Sequence, residues 1–209
     1  MLNWKDHEEE EIKLSAAEIL SKLTEKKQTS LRIVAISGSM ESISSLLHIT
    51  NHPSRVAPEE VSEKEIMYDQ GNYKYSALNH LGLLIMKKLA EHHDICGKIG
   101  KTRGLLPRIV DFTDPREKLR INETMTESHV LVVKRSLELL KNLVRTAGSA
   151  GALLRRRIST NVFTISNIRE ILCFEGKHVK LQMLGIHILT SLGLEDDAKE
   201  SIGSIGGIL

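Results

Sequence analysis

The sequence predicts an all-α fold, an α-solenoid built from about three to four helical repeats. Three observations lead to this prediction. Only 3% of the 209 residues are aromatic, so the core must be aliphatic, which suits helices packed on helices better than a β-sandwich. Four segments share one apolar pattern at the end of a periodic helix. Three of these segments are followed, at one fixed interval, by a glycine that opens another apolar segment.

The shared pattern appears four times along the chain, as AAEILSKL at 16–23, LLIMKKL at 83–89, SLELLKNL at 136–143 and GIHILTSL at 185–192. In the helix that ends with the first segment, one apolar stripe at helical spacing consists of Ile12, Ala16, Ile19, Leu20 and Leu23. In the third helix the same spacing relates Val133, Leu137, Leu140 and Val144, with Lys134, Glu138 and Lys141 on the opposite side. Each segment is therefore predicted to end a long amphipathic helix.

An interval of fifteen residues separates the last leucine of a segment from a glycine three times, Leu23 from Gly38, Leu89 from Gly104 and Leu192 from Gly207. Glycine permits positive φ at a tight corner between helices. Each unit is thus predicted as a long helix, a short helix, a glycine corner and a medium helix. The third segment lacks this glycine, and GSAGALLRRRIST is interpreted there as a loop insertion before the helix TISNIREILCF.

These units are predicted to form a single repeat array over residues 1–209, with approximate units at 9–50, 73–113, 127–174 and 178–209. The connecting loops are predicted at 51–72, 114–126 and 175–178, where turn-forming residues such as Pro53 and Pro115 occur. The register cuts through a unit at both ends, so the array is expected to be incomplete there. Each end is then expected to leave an apolar face without a neighbour.

Long helices ending in ILSKL, LLKNL or ILTSL, with the corner RGLLPRIV at 103–110, resemble armadillo repeats over nearly the whole chain. More narrowly, AAEILSKL followed by SGSMESISSLL is similar to plant armadillo-repeat proteins of poorly defined function. The resemblance implies a right-handed superhelix whose last and longest helix in each repeat lines a concave groove. It also implies a non-catalytic scaffold that binds a protein or peptide along that groove.

In the best-known binders of the family, an Asn near the end of that helix clamps peptide backbone, and a Trp one turn earlier packs peptide side chains. The equivalent positions here hold Lys22, Lys88, Asn142 and Ser191 for the Asn, and Glu18, Leu84, Glu138 and His187 for the Trp. Only Asn142 fits, which disfavours a nuclear-import receptor. The groove residues predicted from this register are Lys22, Lys88, Glu138, Asn142, His187 and Ser191. Lys22 and Lys88, together with Arg145, suggest an acidic or phosphorylated partner.

Two short motifs contain residues that bind phosphate or metal in other proteins. GKIGKT at 97–102 resembles a phosphate loop, but Ile95 stands where the motif requires its first glycine. Metal-ligand residue types occur at His92, His93, Asp94 and Cys96, yet their spacing gives no histidine pair on one helix face and no second cluster follows. No metal and no cofactor are expected.

The remaining chemical candidates are equally incomplete. Cys173 and His178 lack an orienting third group, and Cys173 lies in the apolar run IREILCF, where a thiol is normally a core residue. The basic run 155–157 is interpreted mainly as a solvated face. No enzymatic activity is expected from this chain.

Charge and targeting signals limit the expected partners and cellular location of the protein. A net charge of +2 is too small to indicate nucleic-acid binding. The acidic start MLNWKDHEEEE is no secretory signal, no apolar run is long enough for a membrane span, and two cysteines give no disulfide framework. The prediction is an intracellular, cytoplasmic protein, with a membrane-associated or nuclear location left open if the chain is part of a longer protein. Two alternatives stay open: the substrate-recruiting segment of a larger ubiquitin ligase, and the soluble part of a membrane-associated armadillo protein.

Overall fold

A computed structural model describes residues 3–48, 76–115, 127–173 and 178–204. Within these ranges all regular secondary structure is α-helical, as predicted. The helices are α1 (Asn3–Leu23), α2 (Lys27–Ala35), α3 (Ser39–Ser45), α4 (Ala77–Ala90), α5 (His93–Lys101), α6 (Leu105–Asp111), α7 (Glu127–Val144), α8 (Gly148–Ser159), α9 (Val162–Leu172), α10 (Val179–Leu192) and α11 (Asp196–Ser204). The predicted loops lie largely outside the described ranges, as does Gly207.

The order of helices within a unit follows the prediction, but their lengths do not: the prediction makes the helix after the glycine corner the longer of the two, whereas α3 and α6 have 7 residues and α2 and α5 have 9. A long helix (α1, α4, α7 or α10) is followed by a shorter one, and α3, α6 and α9 complete the first three units. The corners before α3 and α6 are made by Gly38 and Gly104, which adopt left-handed conformations with φ of 77° and 71°. A side chain is strained in that region, which explains the glycine at both corners.

The third unit differs from the prediction. Residues 148–159 are not a loop insertion; they form helix α8. Gly151 is needed there because a Cβ would lie 1.7 Å from the carbonyl oxygen of Thr146. Arg155 donates from Nη1 to that same oxygen and to the oxygen of Val144, which fixes the sharp turn between α7 and α8. Gly151 therefore permits close packing within a helix, whereas Gly148, with φ of 70°, makes the left-handed turn into α8.

The long helices contact one another in chain order, α1 with α4, α4 with α7, and α7 with α10. A second row forms where α5 contacts α8 and α8 contacts α11, and α6 contacts α9 beside it. The core between these rows is aliphatic, as predicted, and includes fully buried Ile85, Leu139 and Ile188. Phe112 is the one aromatic residue among the largest fully buried side chains of the described ranges.

Two side-chain amides connect a long helix to the end of the helix that comes directly before it in the chain: α4 to α3, and α10 to α9. Asn79 donates from Nδ2 to the carbonyl oxygens of Leu46 at 2.8 Å and His48 at 3.1 Å, beyond the end of α3. Gln182 donates from Nε2 to the carbonyl oxygen of Leu172, the last residue of α9, at 3.1 Å. Both amides stand ten residues before the final leucine of their long helix. Carbonyls at a helix end lack a partner within the helix, so these bonds satisfy them at two equivalent joints.

Candidate functional site

Equivalent residues of the long helices are compared by counting back from a reference leucine, which is position 0: Leu23 in α1, Leu89 in α4, Leu143 in α7 and Leu192 in α10. Two contacts reach back to the preceding long helix. Lys88, at position −1, donates from Nζ to the carbonyl oxygen of Ser21 at 2.7 Å. Arg135, at position −8, donates from Nη1 to the carbonyl oxygen of His80 at 2.9 Å. Positions −1 and −8 therefore lie toward the preceding helix.

Two other contacts reach forward to the following long helix. Lys87, at position −2, forms an ion pair of 2.9 Å with Glu138 of α7. His80, at position −9, hydrogen-bonds through Nε2 to the hydroxyl of Ser128 at 2.8 Å. With 3.6 residues per turn, position −5 lies between positions −1 and −2 on the helix circumference. The predicted groove residues at positions −1 and −5 thus share one face along the row of long helices.

Lys22, Lys88 and Glu138 occupy the first half of this face, and internal contacts already engage two of them. Lys88 is held between the Ser21 carbonyl and the carboxylate of Glu25, 3.1 Å from its Nζ. Glu138 is paired with Lys87. Lys22 is exposed and forms no ion pair within the described ranges. The structure therefore brings Lys88 close to the end of α1, but leaves Lys22 as the more available cation.

Asn142, His187 and Ser191 occupy the second half of the face. Asn142 is half-buried, one turn beyond Glu138 on α7. Ser191 donates its hydroxyl to the carbonyl oxygen of His187 at 2.9 Å, so this hydroxyl hydrogen is used within α10, while the His187 side chain is exposed. Among the described side chains, no hydrogen bond or ion pair links Asn142 or Glu138 of α7 to His187 or Ser191 of α10. The packing of α7 against α10 alone brings them together.

The face carries both signs of charge. The cations on or beside it are Lys22, Lys87, Lys88 and Lys141, and the carboxylates on or beside it are Glu18, Glu25 and Glu138. The ion pairs Lys87–Glu138 and Lys88–Glu25 were not predicted, because a register taken from single helices does not say which charges meet between two helices. Their partly exposed positions make each pair a modest contribution to stability. They also neutralise part of the positive potential expected from the lysines.

Helices α4 and α7 each contain a buried polar atom without a hydrogen-bond partner in the described ranges. These atoms are Nδ1 of His80 and the hydroxyl oxygen of Ser136. Burial lowers the pKa of His80, and the nearby Arg135 guanidinium lowers it further. His80 is therefore held in its neutral form at physiological pH, since the charged ring would be both desolvated and repelled.

The motifs with possible chemistry are built into helices. The phosphate-loop-like stretch 97–102 lies almost entirely in α5, and Lys98 donates from Nζ to the carbonyl oxygen of Val34 at 3.1 Å. Cys96 is buried with Sγ 3.3 Å from the carbonyl oxygen of Ala90, and burial raises the pKa of its thiol. Cys173, the C-cap residue of α9, is exposed, contrary to its predicted core position.

The basic run 155–157 has a structural role that its interpretation as a solvated face missed. Arg155 pairs through Nε with Glu195 at 2.7 Å, and its side chain is only 14% exposed. Arg156 lies 3.7 Å from Asp197, with both side chains exposed. Arg157 donates to the carbonyl oxygen of Gly100 near the end of α5. The run therefore joins α8 to both of its neighbours in the second row.

No protein-family model, curated protein or solved structure matches the chain. Within the described ranges, no group of three or more His, Cys, Asp or Glu side chains is arranged to hold a metal ion. In the same ranges, no helix combines the length and the apolar character needed to cross a bilayer. The function is therefore inferred from the geometry and charge of the face described above.

Proposed function

We propose that the chain is a non-catalytic interaction scaffold, an armadillo-type right-handed solenoid that binds a segment of another protein along the face formed by positions −1 and −5 of its long helices. One observation carries this proposal. The four residues at position −1 stand on helices that contact one another in chain order, and each remains at least partly exposed: Lys22, Lys88, Asn142 and Ser191.

The side chains on this face suit an extended peptide. Such a peptide presents backbone donors and acceptors at regular intervals, and these need polar partners when they are removed from water. Asn142 offers an amide that both donates and accepts, in agreement with the family resemblance. Lys22 offers an exposed cation at the α1 end, and His187 an exposed ring at the α10 end. The preferred ligand is then a linear segment with a carboxylate or phosphate near the residue that contacts α1.

Nucleic acid fits this face less well. A phosphate backbone requires a continuous row of unpaired cations, because counterion release supplies most of the affinity. Here Lys87 and Lys88 are paired with carboxylates, and Glu18 is exposed on the same face. A protein segment of mixed polarity avoids the repulsion that these carboxylates exert on phosphates.

A library of random linear peptides displayed on phage tests the proposal. Peptides selected on the wild-type chain are expected to share an acidic residue and to lose binding to the double variant Lys22→Glu/Asn142→Ala. These substitutions leave the internal contacts of Lys88 intact, so folding is preserved. The matched control is Arg103→Glu, an equal charge reversal at the exposed corner between α5 and α6.

Two results would contradict the groove assignment. Peptides that bind the double variant as tightly as the wild type would move the binding surface away from positions −1 and −5. If the Arg103→Glu variant loses the same peptides, binding depends on the overall charge of the chain and not on a defined site. The interaction is also expected to weaken with added salt, since the contact at Lys22 is exposed to solvent.

A further inference from the structure

The first and last long helices each expose an apolar stripe. On α1 it consists of Ile12, Ile19 and Leu23, whose exposures lie between 47% and 69%. On α10 it consists of Val179, Met183 and Ile186, whose exposures lie between 48% and 59%. Three large apolar side chains at helical spacing on one solvent-facing side are typical of a contact surface. The two stripes occupy different positions in the helix register.

The α1 stripe corresponds to the side by which every later long helix packs on the helix before it. At position −4, Ile19 is 59% exposed, whereas the equivalent side chains are fully buried: Ile85 in α4, Leu139 in α7 and Ile188 in α10. At position 0, Leu23 is exposed and its three equivalents are buried. Position −4 lies on the same side of the helix as positions −1 and −8, which reach back to the preceding helix. The α1 stripe is therefore shaped to receive a preceding long helix.

The α10 stripe corresponds to the opposite side of a long helix, the side on which the following long helix packs. At position −6, Ile186 is 48% exposed, whereas its equivalents are buried: Ala17 in α1, Leu83 in α4 and Leu137 in α7. Position −6 lies on the side of positions −2 and −9, which reach forward to the following helix. The α10 stripe is therefore shaped to receive a following long helix. The α1 stripe is the kind of surface that such a following helix would present.

Charge in the second row fits the same pairing. Helix α2 and its N-cap residue carry three cations and no carboxylate, and Lys26 and Arg32 among them are exposed without an ion pair in the described ranges. Helix α11 carries three carboxylates and one cation, and Glu200 is exposed there. Opposite charge at the two ends favours a head-to-tail contact, and like charge disfavours a head-to-head or tail-to-tail one.

We infer that the two stripes bind each other between copies of this chain, the α10 stripe of one copy packing on the α1 stripe of the next. The contact repeats between copies the packing that joins α1 to α4, α4 to α7 and α7 to α10 within one copy. It uses different surfaces on the two partners, so each added copy presents a new free stripe at either end. Association is therefore open-ended and rises with concentration.

Sedimentation velocity over a wide concentration range tests this inference with Ile19→Glu and Ile186→Glu. Each substitution places a carboxylate in one stripe and is expected to weaken association at least about a hundredfold. Each variant alone is then monomeric, while the wild type extends beyond a dimer. An equal mixture of the two variants is expected to form dimers and nothing larger, because each variant keeps one intact stripe and the dimer exposes only damaged ones.

The matched control is Leu153→Glu on α8, which changes a side chain that is 52% exposed and belongs to neither stripe. It is expected to associate like the wild type. Circular dichroism of all three variants should be unchanged, since each substituted side chain is about half exposed and belongs to no buried core. A wild type that stays monomeric at every concentration overturns the inference. So does a dimer that survives Ile186→Glu, which indicates a head-to-head contact, or a variant mixture that remains monomeric.

Discussion

The amide joint at Asn79 gives a quantitative test of how the units are held together. The side chain is 4% exposed and donates two hydrogen bonds to carbonyl oxygens at the end of α3. Its Oδ1 also accepts from the backbone N–H of Ser76, while the Ser76 hydroxyl accepts from the backbone N–H of Asn79. Replacing Asn79 by Ala removes the two joint bonds and one half of this capping box at the start of α4.

The expected loss follows from these bonds. Two buried hydrogen bonds contribute about 1 kcal/mol each, and half of a capping box adds about 0.5 kcal/mol. Alanine recovers about 0.5 kcal/mol through its higher helix propensity. The free energy of unfolding should therefore fall by about 2 kcal/mol. The equivalent change Gln182→Ala removes one half-buried bond and should cost about 1 kcal/mol or less.

Urea unfolding followed by circular dichroism measures both values. A third variant, Asn79→Asp, preserves the size of the side chain and keeps the oxygen that caps Ser76, but it places an oxygen where two carbonyls need a donor. Asn79→Asp should therefore be more destabilising than Asn79→Ala at neutral pH, because a buried carboxylate faces two acceptors. If Asn79→Ala lies within about 0.5 kcal/mol of the wild type, or if the aspartate is the milder change, the joint does not stabilise the fold as argued.

Two further predictions concern single residues. Because the pKa of His80 is lower in the folded chain than in the unfolded one, its contribution to stability is complete above its unfolded pKa and is lost as the pH falls below that value. The urea midpoint should therefore decrease between about pH 7.5 and pH 5.5, and His80→Gln should remove part of this decrease, whereas a parallel decrease in both proteins would refute the role of His80. At the corner before α6, Gly104→Ala should cost about 1 kcal/mol because a Cβ is strained at φ 71°, although nothing lies within 4 Å of it. Gly104→Asn should cost less in the same thermal or urea unfolding measurement, since Asn tolerates this conformation better, and equal losses would point to a cause other than backbone strain.

The sequence predicts helix order and the glycine corners well because both depend on short-range physics. Apolar residues three and four apart specify a helix wherever a core is available, and a glycine at a corner indicates positive φ. Gly38 and Gly104 meet both conditions and behave as predicted. Gly151 has the same residue type but a different cause. It is required by the approach of Thr146 in space, which a helix or loop propensity does not encode.

Which residues form the face of positions −1 and −5 can also be predicted from the sequence. Its residues share one side because they keep a constant offset from a buried leucine, such as Leu143 in α7. Which charges meet across the face depends on the distance and rotation between neighbouring helices, and the periodicity of one helix contains neither. For that reason the pairs Lys87–Glu138 and Lys88–Glu25 appear only in the structure.

The division of each long helix into sides connects the fold to the proposed interactions. In α4, α7 and α10, positions −4 and 0 are apolar and buried on the side of the preceding helix, and in α1, α4 and α7 position −6 is buried on the side of the following one. Positions −1 and −5 stay at least partly exposed, so position −1 accepts lysine, asparagine or serine in different helices. Binding specificity and the number of copies in an assembly can then change independently. Substitutions at Lys22 should alter which peptide is bound, while substitutions at Ile19 should alter only the association of copies.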